Sequence, residues 1–197
     1  MIIMPSNNTG KIIMELSKKY PDRIAFLFNP TRKSSTGFNF RYAVDNGCFQ
    51  KFDEKLYFDY LGHIRDYPKP MFIVAPDVVG CHDRTMALWS YYYPKLMPYG
   101  YPVAFVCQDG CEPELIPIEA DWLFIGGLDP WKMSNIHRYT NLGKPVHVGR
   151  VNGIGRLKYC ESLGVTSIDG TGWMRARDKQ FYDLMEYFGG EIQCSLF

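Results

Sequence analysis

The stretch SIDGTGWMRAR (167–177) begins at the end of a short apolar run and continues into acidic and polar residues. Three other stretches have the same design, a short apolar run that ends in polar or acidic residues: AVDNGCFQ (43–50), FIVAPDVVG (72–80) and AFVCQDG (104–110). Between these runs the chain carries longer stretches with the period of amphipathic helices, and this alternation is typical of repeated βα units. In a barrel of parallel strands, the carboxyl ends of the strands meet on one face. We therefore expect Asp45, Asp77, Gln108 and Asp169 to share one pocket.

The whole chain can be divided in the same way. The candidate strands are residues 2–4, 24–28, 42–44, 71–75, 103–106, 122–125, 146–148 and 166–168. The candidate helices are residues 10–20, 54–66, 83–97, 130–141, 153–163 and 178–188. Eight-stranded α/β barrels usually have about 250 residues, so a chain of 197 residues predicts a trimmed TIM-like (β/α)8 barrel, forming a single domain over 1–197. The polar connection NPTRKSSTGFNF (29–40) is expected to be a mobile loop facing the substrate.

Charge and cysteine content exclude several classes of protein. The 22 Lys and Arg residues nearly balance 21 Asp and Glu, which argues against a strongly basic nucleic-acid binder, so any DNA surface must be local. The six cysteines have no paired CxxC or zinc-type Cys and His spacing, which predicts no metal and no cofactor. The chain has no apolar run near 18 residues and no signal-peptide pattern, so we expect a soluble cytoplasmic protein without a membrane partner.

Two acids are candidates for catalysis. A pair of carboxylates facing a glycosidic bond is a recurrent solution for sugar or base transfer, and we assign the pair to Asp45 and Asp169. One acid attacks or stabilises the sugar carbon while the other handles a proton, provided that their environments give them different pKa values. The alternatives stay open: Asp45 in DNG is also a common turn residue, and Asp169 before Gly170 also suits a turn or a helix cap.

A second group of residues suits the edge of a nucleobase. The Asp77 carboxylate can accept two N–H bonds, and the Gln108 amide offers both a donor and an acceptor. Gly126 and Gly127 would let the backbone approach a flat ligand. Helix capping by Asp77, a loop hydrogen bond from Gln108 and a tight turn at the glycines are the structural alternatives. The four histidines, at positions 63, 82, 137 and 147, have no partner spacing, and no chemistry is assigned to them.

Five segments, in this order, resemble the tRNA-guanine transglycosylase superfamily, including the phage DpdA-type enzymes that act on DNA. AVDNGCFQ resembles the family's DSGGFQ-type strand end, PDVVG its base-reading aspartate segment, VCQDG its VQGG-type turn and FIGGLD its IGGL turn. IDGTGWMR keeps the aspartate and the arginine of the family's FDCVxPTR segment at the same separation, as Asp169 and Arg175. Two departures are Asn46 in place of the serine of DSGGFQ and Cys48 in place of its second glycine.

The resemblance implies roles for these residues. Asp169 would be the nucleophile on the sugar C1′ and Asp45 the general acid/base, while Arg175 would hold a backbone phosphate. The base-binding set would be Asp77, Gln108, Gly126, Gly127 and Asn46, and the other predicted DNA contacts are Arg177, Arg150, Arg32 and Lys33. A solvated surface is the alternative explanation for these basic residues.

The predicted activity is cleavage of an N-glycosidic bond in DNA. The set of zinc ligands that follows the nucleophile segment in the tRNA enzymes is missing, which favours a DNA substrate over a tRNA anticodon. If water completes the reaction, the enzyme is a DNA glycosylase that removes a modified base, as the resemblance to an anti-phage glycosylase of this superfamily suggests. If a second base enters, it is a guanine or 7-deazaguanine transglycosylase that exchanges the base in DNA, or in tRNA, through the same intermediate. A non-catalytic binder of modified DNA is the alternative from another class.

Overall fold

The fold is a barrel of parallel strands surrounded by helices. A computed structural model describes residues 1–5, 11–31, 38–172 and 179–189. Its strands are β1 (Ile2–Pro5), β2 (Phe26–Phe28), β3 (Tyr42–Val44), β4 (Ile73–Val74), β5 (Val103–Cys107), β6 (Trp122–Ile125), β7 (Val146–Val148) and β8 (Ser167–Gly170). Its helices are α1 (Lys11–Lys19), α2 (Glu54–His63), α3 (His82–Leu96), α4 (Asp129–Tyr139), α5 (Ile154–Ser162) and α6 (Lys179–Tyr187).

Strand order confirms the predicted barrel. The sheet runs β1-β8-β7-β6-β5-β4-β3-β2, and every neighbouring pair is parallel. The two edges meet at a parallel bridge between Ile3 and Ile24. There the Ile3 amide donates to the Arg23 carbonyl at 2.8 Å, and the Ala25 amide donates to the Ile3 carbonyl at 3.1 Å. The chain therefore forms the trimmed (β/α)8 architecture that alternation of the elements predicts.

Differences from the predicted bounds arise at element ends. The predicted strand 71–75 is reduced to β4, although the amides of Met71 and Ala75 still donate to neighbouring strands at 2.7 and 3.0 Å. The predicted helices 54–66 and 83–97 are split, because α2 and α3 each finish in a 3₁₀ turn. Asp53 caps α2 by accepting from the Leu56 amide at 2.9 Å. Such differences are typical of helix and strand ends, where hydrogen bonding changes gradually.

One connection of the barrel is shortened. Between β5 and β6 the chain forms a 3₁₀ turn, Pro113–Leu115, instead of an α-helix. Between β2 and β3 it crosses a segment whose residues 32–37 lie outside the described part of the chain, so the substrate-facing loop stays a prediction. Just after that segment, Phe38 is buried against Phe28, Tyr42 and Tyr67, with ring centroids 5.2, 5.2 and 4.5 Å away.

The barrel interior differs from one side to the other. Because side chains alternate along a strand, every second residue points inward. On the β2 to β5 side the interior is narrow and apolar, with Ala25, Ala43 and Ala104 in one buried cluster. On the β7 and β8 side it contains two fully buried polar side chains, His147 and Ser167. Inward positions nearer the carboxyl ends of β3, β5, β7 and β8 are Asp45, Gln108, Gly149 and Asp169, which line a cavity.

None of the helices in the described part of the chain has the length and apolar character needed to span a bilayer.

Candidate active site

A cavity of about 340 Å³ opens at the carboxyl ends of the barrel strands. Seven of the predicted site residues line it: Asp45, Asn46, Asp77, Gln108, Gly126, Arg150 and Asp169. Gly127 is not among the lining residues, but its amide donates to the Gln108 side chain and its carbonyl accepts from the Arg150 guanidinium. The remaining predicted residues, Arg32, Lys33, Arg175 and Arg177, lie outside the described residues. The barrel thus brings together side chains that are separated by more than a hundred positions in the sequence.

One side of the cavity is formed by Asn46, Asp77 and Gln108, which we call the amide wall. The Asn46 side-chain nitrogen donates to Asp77 Oδ1 at 2.6 Å, and the Gln108 side-chain nitrogen donates to Asp77 Oδ2 at 2.6 Å. Two neutral amides therefore hold the two oxygens of one carboxylate. This arrangement fixes the plane of the carboxylate at the cavity surface.

The two amides are themselves anchored to the main chain. Asn46 also donates to the Ala75 carbonyl at 2.7 Å and accepts from the Cys48 amide at 2.8 Å. Gln108 Oε1 accepts from the amides of Gly80 and Gly127 at 2.8 and 2.9 Å. The loop hydrogen-bond interpretation therefore accounts for the carbonyl oxygen of Gln108. Contact with a base edge stays a prediction for its remaining amide hydrogen.

Asp77 is an acceptor in a low-dielectric environment. Burial raises the pKa of its carboxyl, while hydrogen bonds from Asn46, Gln108 and Cys48 and the charge of Arg150 act in the opposite direction. Helix α3 begins after Cys81, and its N-cap has no side-chain hydrogen bond. Asp77 bonds within the wall and does not cap this helix.

Gly126 is required by the close packing of the amide wall. A Cβ atom on Gly126 would lie 2.6 Å from the side-chain nitrogen of Gln108 and 2.9 Å from Val106 Cγ1. Gly127 has φ +49°, and a Cβ there would collide with the Trp131 ring. Both glycines are thus sterically determined, and Gly126 supplies a flat stretch of backbone to the cavity.

Asp45 lies between the two sides of the cavity. Burial, together with the charges of Asp169 and Asp77, raises the pKa of Asp45 to about 7. The main-chain amides of Asn46 and Gly47 oppose this effect, and the Asn46 amide donates to Asp45 Oδ1 at 2.8 Å. A carboxyl group with such a pKa can carry a proton near neutral pH and also give it up.

On the opposite side of the cavity, Asp169 is held by the buried His147 ring beneath it and by the Arg150 main-chain amide, and we call these three groups the imidazole wall. His147 Nε2 lies 3.1 Å from Asp169 Oδ2, and the Arg150 amide donates to Asp169 Oδ1 at 3.2 Å. On its other edge, His147 Nδ1 lies 2.8 Å from the Ser167 hydroxyl. Asp169 belongs to β8 itself and faces the barrel interior, so it does not cap a helix.

His147 is a member of the site that sequence reasoning missed. Motif spacing did not reveal it because its partner Asp169 lies 22 positions away, in the neighbouring strand. Strand alternation could have found it: His147 pairs with Ser167 in the parallel register of β7 and β8, and Asp169 is the next inward position on β8. A mid-strand histidine at an interior position was the signal in the sequence.

Arg150 has a strained backbone next to Asp169. Its φ is +58°, in the left-handed region that non-glycine residues rarely adopt. Its guanidinium donates to the Gly127 carbonyl at 2.6 Å and lies over the Phe49 ring, 4.9 Å from the centroid. Phe49 is 67% exposed and lines the cavity, so its ring presents a flat aromatic surface at the cavity opening. Arg150 therefore links the two walls.

Behind the imidazole wall, Lys132 is fully buried. Its ammonium donates to the Gly149 carbonyl at 2.8 Å and pairs with Asp129 Oδ1 at 3.0 Å. Burial lowers the pKa of Lys132, an effect that the Asp129 charge opposes. Arg156 also bonds Asp129 at 2.7 Å, and these two cations lower the pKa of Asp129 to about 2. This network, in which only Lys132 is fully buried, holds the turn that carries Gly149 and Arg150 through the Gly149 carbonyl.

No protein-family model matches this chain, and no curated protein is significantly similar to it. Within the part of the chain that the structure describes, no group of three or more His, Cys, Asp or Glu side chains is placed to hold a metal ion. Function therefore has to be inferred from the cavity and the residues that line it.

Proposed function

We propose that this protein is a DNA glycosylase, which cleaves the N-glycosidic bond of a modified base that has been rotated out of the DNA stack into the cavity. The observation that carries the proposal is the pair Asp45 and Asp169 in one cavity, with the pKa of Asp45 raised to about 7 by burial and by the charges of Asp169 and Asp77. Glycosidic cleavage requires one carboxyl group that donates a proton and a second carboxylate that attacks the sugar, and this pair of side chains can supply both.

The first step is displacement of the base. An oxygen of Asp169 bonds to C1′ as the C1′–N bond breaks, and the electron pair of that bond leaves with the base. Asp45 donates its proton to the departing base nitrogen, so that no anion has to leave. The product of this step is a sugar ester of Asp169 and a neutral free base.

The second step returns the enzyme to its starting state. Water attacks C1′, and the Asp45 carboxylate takes one of its protons. The C1′–O bond to Asp169 breaks, and Asp169 leaves as a carboxylate. The net reaction adds one water, releases one base and leaves an abasic site in the DNA.

The amide wall is suited to hold the flipped base. Asp77 presents carboxylate oxygens in a fixed plane, and this favours a base that carries N–H donors on its edge. Gly126 provides backbone that a flat ring can approach, and the exposed Phe49 ring provides a stacking surface. The choice of DNA rests on the resemblance to the DNA-acting transglycosylases.

The test is a search for released base. Purified protein is incubated with phage DNAs that carry different modified bases, without added free base, and released bases and alkali-labile breaks are both measured. We expect release of one kind of modified base with a matching number of abasic sites. Base incorporation that occurs only when labelled deazaguanine is supplied would identify a transglycosylase instead. Tight DNA binding without release or incorporation would contradict catalysis and identify a binder.

A further inference from the structure

The His147 ring occupies an unusual place in the barrel. It is fully buried on the floor beneath the cavity, between the Phe124 and Phe72 rings, with centroids 4.6 and 5.3 Å away. The interior layers of such barrels are normally filled by branched apolar side chains. Burying an imidazole, a hydroxyl and a carboxylate together carries a desolvation cost, so packing alone does not account for the choice of histidine.

The partners of the ring determine where its proton lies. An ionised carboxylate only accepts hydrogen bonds, so the contact at 3.1 Å with Asp169 Oδ2 places a proton on His147 Nε2. In the neutral ring, Nδ1 then accepts from the Ser167 hydroxyl at 2.8 Å. The Asp169 carboxylate, which only accepts, thus sets the tautomer, and the Ser167 hydroxyl completes the hydrogen bonding of the ring on its other edge.

A hydrolase triad of Ser167, His147 and Asp169 does not fit this geometry. The Ser167 side chain is fully buried and does not line the cavity, so its hydroxyl cannot reach a substrate. The end of the chain of hydrogen bonds that reaches the cavity is Asp169. The order of groups therefore presents a carboxylate to the ligand, with the histidine behind it.

We propose that His147 is a positioning residue that holds the Asp169 carboxylate for attack through its Nε2–H, with the Ser167 hydroxyl bonded to Nδ1 on the other edge of the ring. The proposal rests on the function proposed above. Fixing Oδ2 fixes the plane of the carboxylate and with it the direction of Oδ1. In the second step Asp169 regains its negative charge as the C1′–O bond breaks, and the same N–H stabilises that charge. His147 keeps its proton throughout, so the proton balance of the reaction is unchanged.

The test compares two substitutions that differ in one hydrogen bond. H147Q retains an N–H donor near the position of Nε2, whereas H147L removes the donor and keeps an apolar side chain. Single-turnover base release, KM and DNA affinity are measured for each. We expect H147L to lower kcat about 10²-fold with KM and DNA affinity unchanged, and H147Q to restore the rate to within about tenfold of wild type.

The matched control is His82, which is 5% exposed, lies at the start of α3 and has an Nδ1 atom without a partner in the described structure. H82L removes a buried imidazole away from Asp169 and is expected to keep the wild-type kcat. If H147L does not fold, H147N replaces it, because its shorter amide does not reach Asp169.

Three results would overturn the proposal. One is wild-type kcat in the variants that lack the donor. Another is a rate for H147Q as low as that of H147L, because packing and not the N–H would then matter. If the wild-type protein itself releases no base while binding DNA, the proposed function fails first and the role of His147 fails with it.

Discussion

The amide wall and the imidazole wall hold their carboxylates in different ways. Asp77 is fixed by two side-chain amides that are tied to the main chain, whereas Asp169 is fixed by a buried imidazole and by the amide of a strained residue, Arg150. The first arrangement keeps an acceptor still at the cavity surface. The second holds a carboxylate that lines the cavity through an imidazole buried beneath it. Aspartate is thus held in two ways in one cavity: Asp77 accepts from side-chain amides, and Asp169 contacts an imidazole and a main-chain amide.

Apart from replacement of Asp169 itself, the largest effect is expected at Asp45, between the two walls. D45N keeps the shape of the side chain but cannot carry a proton, so base release should fall about 10³-fold. Wild-type kcat/KM should fall as pH rises through about 7, because the protonated form of Asp45 is then lost. Single-turnover base release across this pH range checks both statements. The control D59N changes an exposed aspartate paired with Lys55 and should leave the profile unchanged.

An alanine at position 126 should break the amide wall alone. The added Cβ would force Gln108 away from Asp77, so we expect about a 10²-fold loss of kcat/KM for base release. Its control is G155A in α5, where a Cβ meets nothing within 4 Å. Equal activity of the two variants would mean that the hydrogen bond from Gln108 to Asp77 has no part in base release.

The support of the imidazole wall can be tested through Lys132. K132M leaves the buried Gly149 carbonyl without its ammonium partner, while Asp129 keeps Arg156. We expect the free energy of unfolding to fall by about 2–3 kcal/mol, measured by urea denaturation. The control K55M removes an exposed ion pair and should leave the free energy of unfolding close to that of wild type. A K132M protein as stable as wild type would show that this network does not support the wall.

The smallest effect is the stability cost of Asp45. Its pKa in the folded protein, about 7, lies above the ordinary value of 3.8. Below pH 3.8 the group is neutral in both states and has no effect. As pH rises from 3.8 toward 7, the Asp45 carboxyl ionises more readily in the unfolded chain than in the folded protein, so the folded state loses stability. Above pH 7 the carboxyl is ionised in both states, and the loss of stability stays constant. D45N should therefore be more stable than wild type, by about 1–2 kcal/mol at pH 8 and by little at pH 4. A stability difference that does not change with pH would contradict this account of Asp45.

The two walls also differ in how far the sequence predicted them. Asp77 and Gln108 follow apolar runs directly, so the rule that strand ends converge is enough to bring them together from the sequence alone. Their mutual hydrogen bonds were not predictable, because rotamers depend on the packing of Val106 and Gly126 around them. Strand positions were predicted well for the same reason, since short apolar runs with polar ends leave few alternatives.

The imidazole wall was predicted only in part. Asp169 was found because it ends an apolar run, but His147 lies within a strand, where an isolated polar residue carries no motif. Its role depends on the register between β7 and β8, which is set by the closure of the whole barrel. The left-handed backbone of Arg150 was likewise not predictable, because no residue type at position 150 signals it.

The central claim is that Asp169 is the nucleophile of an N-glycosidic cleavage, and D169N tests it most directly. Wild-type protein and D169N are compared on the same modified DNA, with base release and DNA affinity measured in parallel. The account predicts that D169N binds this DNA as wild type does and releases no base. Base release by D169N at the wild-type rate would contradict it.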